Sequence, residues 1–340
     1  MPTICKGLPV SRRVIALATG LLLASSAFLA GCGNSSGSES ADTESTGGTD
    51  YPVTVTNCGI EQTFESAPER VVTIKSTATE LLLALGLGDK VVARAFSDGP
   101  VPKRWADEAE SIPQLSDKAP SQEAVLEKEP DLVYAGWESN LAPETAGDRD
   151  TLAKLGVNTY VSPAACKEPK YQPDHMTFDL LFDQFAEMGK IFDVPKRADK
   201  LIDKQRKQLA SVHKAADGTS ALWYSSGSDI PYVGAGIGAP QMMMDTLGLD
   251  NIAADVDDTW TSMGWEKIAA ENPDVIILVD ATWNSAKEKI ARLEDNPVTS
   301  KLEAVKQQRY LTIPFPASEA GVRSAGATVD MGKQLADLTE

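Results

Sequence analysis

The chain has 340 residues, with 49 acidic side chains against 32 basic ones and a formal net charge of -17. Its charged and apolar fractions, 24% and 42%, are those of a globular protein, and the length suffices for two lobes with a core each. So acidic a chain is repelled by nucleic acid and by anionic lipid surfaces, which excludes both as binding partners.

The N-terminus reads as an export signal. Lys6, Arg12 and Arg13 precede an apolar stretch at 14–30 that ends in small residues. That stretch is too short, and too interrupted by Ser and Gly, for a membrane span. Leu29-Ala30-Gly31-Cys32 resembles the lipobox of bacterial lipoproteins. The resemblance implies that the signal peptide, 1–31, is removed and that Cys32 carries lipid, the only tie to the membrane. A soluble secreted protein cut nearby is the alternative. Arg12-Arg13 also fits a twin-arginine signal, so the export route stays open. A protein held outside the membrane has no ATP to use and is suited to catching solutes.

Of four cysteines, Cys5 leaves with the signal and Cys32 is taken by lipid. Cys58 and Cys166 remain, an even pair in an oxidising compartment, and are expected to form a disulfide; two separate buried thiols are the alternative. No Cys-x-x-Cys is present, which removes a zinc ribbon.

Segment 32–50 is nearly all Gly, Ser, Thr, Asp and Glu and is expected to be a disordered tether. From 51 onward short apolar runs alternate with helical patterns. Strands are expected at 71–74, 91–93, 131–134 and 159–161. Helices are expected from Thr77, whose spacing to Glu80 suits a capping box, to a stop at Gly86, and at 121–128 and 151–155. The rhythm recurs with strands at 221–224, 275–279 and 310–313 and helices at 240–248, 264–271 and 325–338. Such βαβ alternation predicts an α/β fold with mainly parallel sheets covered on both faces. Between the halves Ala198, Leu201, Ile202, Leu209 and Val212 form a helical stripe, opened by Pro195 and followed by Gly218. The expected layout is an N-terminal lobe at 51–193, an inter-lobe helix at 194–217 and a C-terminal lobe at 218–340.

One element occurs twice. Glu123 is followed by Pro130-Asp131, and Glu266 by Pro273-Asp274 at the same offsets. Each Glu opens a short helix, and each Pro-Asp opens a buried strand that ends near a Trp, Trp137 or Trp283. Acid on a first helical turn is locally favourable by about 0.3–1 kcal/mol, which accounts for either Glu alone. A matched pair, one per lobe, would also suit a partner with two basic sites, such as a two-fold transporter dimer.

Over roughly 52–338 the chain resembles the substrate-binding proteins of ABC importers for iron-siderophores, haem and cobalamin. The carrying segments are Pro68-Glu69-Arg70-Val71-Val72, Ala78-Thr79-Glu80-Leu81-Leu82, Leu85-Gly86-Leu87-Gly88-Asp89-Lys90-Val91-Val92, Ser121-Gln122-Glu123, Glu129-Pro130-Asp131-Leu132-Val133, Leu155-Gly156-Val157, and Glu266 with Pro273-Asp274-Val275-Ile276. The resemblance implies two Rossmann-like lobes joined by one long α-helix, the class III periplasmic-binding-protein arrangement, with little lobe movement. It implies a monomer that delivers a small organic ligand to a permease dimer with its ATPase. Glu123 and Glu266 match the glutamates that dock on permease arginines. The strings at 134–140, 231–241 and 315–323 resemble an actinobacterial subgroup proposed to import a precursor of the deazaflavin coenzyme F-420.

Ligands of open α/β sheets sit beyond the carboxyl ends of strands. That rule selects 75–77, 97–99, Trp137, 162–167, 225–228, 280–283 and 314–318, and among these Lys75, Ser76, Thr77, Trp137, Lys167, Ser226, Trp283 and Ser318 are candidate ligand-binding residues; Trp260, beside the short helix of Glu266, and Arg323 join them. The tryptophans would stack on a flat ligand, and Arg323 and Lys167 would meet an anion. The Gly-rich run 234–238 lacks the third glycine and the strand–helix context of a dinucleotide loop, and reads as a loop at the cleft rim. His175 and His213 are the only histidines, too few for a zinc or manganese receptor. The one Gly-x-Ser-x-Gly string, at 33–37, falls in the expected tether and is no strand-to-helix elbow, and no Walker A loop is present, so no enzyme, catalytic residue, metal or cofactor is expected. An extracellular α/β enzyme and a structural envelope lipoprotein are the alternatives.

Overall fold

The computed structural model describes residues 48–338. The expected signal peptide, Cys32 and the tether up to residue 47 lie outside the described residues. The last tether residues, 48–50, do not behave as free chain: the Thr49 N–H donates to the Asp193 carboxylate.

The chain opens with an antiparallel hairpin, β1 Val53–Asn57 and β2 Ile60–Phe64. Val53, Val55 and Asn57 face inward and the threonines between them face out. Asn57 is buried and pairs with both backbone groups of Val161, while the buried Arg149 guanidinium donates to Asn57 and Thr159. The hairpin turn is bonded covalently as well, through a Cys58–Cys166 disulfide that spans 108 residues.

The first parallel sheet has the order β4-β3-β5-β6, built from β3 Val71–Ile74, β4 Val91–Ala95, β5 Leu132–Ala135 and β6 Asn158–Val161. Its two inner strands, β3 and β5, are buried at every residue, which explains why they are apolar throughout but for Thr73. The helices of this half are α1 Ser76–Ala84, α2 Ala106–Glu110, α3 Gln122–Leu126 and α4 Arg149–Lys154. The last two are capped by Ser121 and Asp148, each accepting a backbone N–H three residues on. The capping box expected at Thr77 does not form. Helix α1 starts at Ser76 behind Lys75, and Glu80 is engaged elsewhere.

Two antiparallel neighbours follow, α5 Phe178–Ile191 and α6 Pro195–Leu209. The inter-lobe helix expected at 194–217 therefore ends at Leu209. Ser211 turns its hydroxyl onto the Gln208 carbonyl, and the chain leaves the helix so that Ala215 N–H can reach Leu247 O. Arg197 near the start of α6 donates to Leu85 O and Gly86 O of the first lobe, and Gln205 donates to Val322 O of the second.

The second sheet runs β10-β8-β7-β11-β12, with β9 beside β7. Its strands are β7 Ser220–Ser226, β8 Tyr232–Gly234, β9 Asp250–Asn251, β10 Trp260–Ser262, β11 Val275–Asp280 and β12 Tyr310–Pro314. Strands β7, β9, β11 and β12 are parallel, while β8 pairs antiparallel with β7 and β10. The helices are α7 Ala239–Leu247, α8 Trp265–Glu271, α9 Ala286–Asp295, α10 Glu303–Lys306, α11 Phe315–Ser318 and α12 Ser324–Asp337. Gly248 ends α7 in the left-handed conformation expected of a C-terminal glycine.

The largest apolar cluster takes residues from both halves: Leu81 and Leu82 of α1, Phe185 and Met188 of α5, Met243 of α7 and Leu335 of α12. Two smaller clusters lie within one half each. Burying a side chain such as Phe185 contributes about 1.5–3 kcal/mol, so this shared core resists separation of the lobes. Among the described residues no helix is long and apolar enough to cross a membrane.

Candidate functional site: an aromatic cleft between two lobes

A cavity of about 680 Å³ lies where the carboxyl ends of both parallel sheets meet. The segment after β3 contributes Thr77, that after β5 Trp137 and Glu138, and that after β6 the run to Lys167. The second lobe contributes Ser226 at the end of β7, Trp283 after β11, and Phe315 and Glu319 after β12, with Tyr232 and Trp260 from β8 and β10.

The cavity is walled by rings. Tyr232 and Trp260 lie nearly parallel, with centroids 5.9 Å apart and planes inclined by 17°. Trp283, 60% exposed, meets Phe315 edge-on at 5.7 Å. On the first lobe Trp137 meets Phe96 edge-on and donates its indole N–H to Glu319 across the cleft, 3.0 Å away. Such rings offer flat, rigid contact area with little entropy to lose on binding.

Beneath this wall sits Lys75. Its ammonium lies 3.5 Å from the Trp137 ring centroid and contacts the Asp98 carboxylate. Lys75 holds φ 81°, ψ 153°, a region almost reserved for glycine, and so carries backbone strain. Burial pulls its ammonium down to about 8, and the nearby Glu319 carboxylate opposes that pull. Close approach requires Gly136 in this floor, because a Cβ there would fall 2.6 Å from Thr77 Oγ1 and 2.7 Å from Lys75 Cβ.

Of the ten ligand-binding residues expected from sequence, the structure brings Thr77, Trp137, Lys167, Ser226, Trp260 and Trp283 to the cavity. It does not bring the other four. Lys75 is 1% exposed under Trp137. Ser76 exchanges hydrogen bonds with Asp98 through its N–H and hydroxyl. Ser318 is buried and donates to Phe315 O. Arg323 turns away from the cleft and grips Glu80 of α1 with two nitrogens, while also donating to Pro100 O. The corrections share one cause: short polar side chains at strand ends close their own turns, and a cation finds a buried carboxylate before it finds solvent.

Sequence reasoning missed Glu138, Tyr232, Asp258 and Glu319, all of which line the cavity, while Phe315 fell within the selected segment 314–318. The offset of Glu319 from the end of β12 was a usable signal; Tyr232 and Asp258 arrive through an antiparallel pairing that no local pattern announces. The run 234–238 packs under the 254–259 segment, and a Cβ at Gly236 would meet Ala254 O at 2.3 Å.

A second hollow of about 790 Å³ lies between α6, α12 and the segment around Trp105. It touches the first parallel sheet nowhere and the second only along β12, at 312–314, and two of its cations are already used, Arg197 by carbonyls and Arg323 by Glu80. Among the described residues no group of three or more His, Cys, Asp or Glu side chains is arranged to hold a metal ion.

Glu123 and Glu266 are both exposed, and each is the second residue of its helix, α3 or α8. Neither makes an ion pair among the described residues.

The model of the periplasmic binding protein family matches residues 71–317. An uncharacterised ABC transporter substrate-binding lipoprotein of Bacillus subtilis, YvrC, is 27% identical over 92% of this chain and 95% of its own length. A vitamin B12-binding protein of Vibrio parahaemolyticus is 24% identical over 68% of this chain and 80% of its own. The crystal structure of an ABC-type Fe3+-hydroxamate transport system from Saccharomonospora viridis superposes with a TM-score of 0.71 at 25% identity, covering 84% of this chain and 99% of that one. These relatives are transport proteins and not enzymes. Two α/β lobes with a ligand-sized cleft between them, matched by that model over most of their length, place the chain in the periplasmic binding protein family.

Proposed function

We propose that the chain is the extracytoplasmic substrate-binding lipoprotein of an ABC importer. It holds a small organic ligand in the aromatic cleft and presents it, as a monomer, to a permease dimer driven by its ATPase. The observation that carries this reading is the equivalence of Glu123 and Glu266. Each is exposed, forms no ion pair among the described residues, and is second in a short helix that leads into a central strand of its own sheet. Both helices run back toward the start of that strand, so both acids lie toward the strand ends that border the cleft. Arginines of a two-fold permease would meet one carboxylate from either lobe.

The lipoprotein anchor at Cys32 is supported by the lipobox resemblance and by the name of the Bacillus relative. The ligand is of the iron-siderophore, haem or cobalamin type, supported by the names of the relatives and by the ring-lined walls. A precursor of F-420 belongs to the same reading, with its ring on the walls.

The test is uptake of radiolabelled candidates by cells carrying Glu123→Ala plus Glu266→Ala. Uptake should vanish while the purified variant binds ligand as before. Undiminished uptake removes the docking role, and a parallel loss of affinity puts the two residues in the cleft instead.

A further inference from the structure

The charges around the cleft describe what it accepts, given that the cleft is the ligand site. Three carboxylates line it: Glu138 from the first lobe, and Asp258 and Glu319 from the second. None has an ion-pair partner among the described residues. Their hydrogen bonds come from neutral donors, namely Lys167 N–H, Thr259 N–H and the Trp137 indole. Among the described residues Lys167 is the one cationic side chain on the lining, and it is exposed. Other cations near these strand ends are engaged, Lys75 by Asp98, Arg323 by Glu80 and Lys289 by the Val279 and Asn284 carbonyls. The carboxylates also converge on the aromatic wall. The Tyr232 phenol is pushed up by burial and then by Asp258 and Glu319 together, so both fields reach the ring that stacks on Trp260.

We infer that the cleft selects a flat ligand that is neutral or positively charged, and rejects one that brings phosphate or carboxylate groups to these walls. An aromatic platform with carboxylates around it attracts organic cations by ring quadrupole and by charge. An anion there would face three like charges with one mobile ammonium to offset them. At distances near 10 Å and an effective dielectric constant near 20, each such charge shifts affinity by about tenfold.

The experiment keeps one ring and varies its charge. Flavins carrying an aminoalkyl, a ribityl or a ribityl phosphate chain are titrated into the mature protein at low salt, and tryptophan quenching is followed. The aminoalkyl form should bind tightest and the phosphate form at least about tenfold more weakly than the neutral one. Asp258→Asn with Glu319→Gln should compress that spread. Phosphate binding equal to or tighter than the neutral form, or a spread unchanged in the double variant, overturns the charge selection and leaves the transport reading standing. Absence of binding by all three flavins at millimolar concentration overturns the flat-ligand inference and likewise leaves the transport reading standing, since that reading is tested by uptake.

Discussion

Asp131 and Asp274 do the same work in the two lobes. Each follows a proline, opens a central strand, β5 or β11, and turns its carboxylate onto the chain entering the neighbouring strand. Asp131 accepts the Glu69 N–H at 2.7 Å and the Arg70 N–H at 3.0 Å, at the start of β3. Asp274 accepts the Ser220 N–H at 2.9 Å and the Ser220 hydroxyl at 2.8 Å, at the start of β7. The repeated Pro-Asp is thus a structural device, distinct from the glutamates that precede it. Asp131→Ala and Asp274→Ala should each cost about 1–2 kcal/mol, because each leaves backbone donors without an acceptor. The sites share no partner, so the double variant should lose the sum. Urea midpoints check this; a midpoint shift in neither variant would mean that water replaces the carboxylates without loss.

The Cys58–Cys166 bond closes a loop of 108 residues. In the chain-entropy model so long a loop contributes about 4–5 kcal/mol by restricting the unfolded chain. Cys58→Ala with Cys166→Ala should lower unfolding free energy by about 2–5 kcal/mol, the lower end applying where the reduced chain keeps residual structure. Asn57 and Arg149 still hold the hairpin, so the native fold should persist at moderate temperature. Thiol labelling of the unreduced, unfolded mature protein should find neither cysteine free. A labelled thiol contradicts the bond.

Much of the frame was legible because its signals are local. Strands β3, β5 and β11 are apolar at nearly every position since both faces are covered, and Pro195 and Gly248 mark helix ends through backbone constraints of their own. Helix α5 carries its stripe Leu181, Phe182, Phe185 and Met188 and a Thr177 cap, so its signal is present although no expectation covered it. Strands β8 and β10 have three residues each, too few for a period of two to show, and their pairing is decided by contact with β7. The site was legible only as far as strand ends go. Which way a side chain turns at such an end depends on partners remote in sequence: Arg323 points to Glu80, 243 positions away, and Trp137 to Glu319, 182 away.

Trp137 couples the two lobes at the cleft floor, so its variants separate ring from hydrogen bond. Trp137→Phe keeps a ring over Lys75 and deletes the donor to Glu319. It should cost about 1 kcal/mol of stability and leave flavin binding within a few-fold. Trp137→Ala removes the stacking face and opens the Lys75–Asp98 pair to water. It should weaken flavin binding about tenfold or more. Equal binding by the Ala variant and the parent would show that ligand stacks on Trp260 and Trp283 alone.

Glu80 and Arg323 provide a further tie across the lobes, and its pH dependence has a definite sign. Glu80 is 2% exposed, and burial raises its carboxyl above the usual carboxylate value while its hydrogen bonds and charge attraction to Arg323 pull it back down. A carboxyl raised in the folded state binds its proton more tightly there than in the unfolded chain. Stability from this group is therefore present below the unfolded value and lost as pH rises through the folded one. Arg323→Met deletes the main opposing pull, so Glu80 should rise further and the pH window should widen upward. At pH 7 the variant leaves a buried carboxylate with only Arg104 nearby, and should lose about 3–5 kcal/mol. That loss should shrink as pH falls toward 5, because the buried carboxyl can then be neutral. Urea midpoints for parent and variant at pH 7 and pH 5 read the effect directly: the gap between them should narrow on acidification. A gap that is constant with pH would mean that Glu80 reaches water once Arg323 is gone, and that the tie holds the lobes by packing and not by charge.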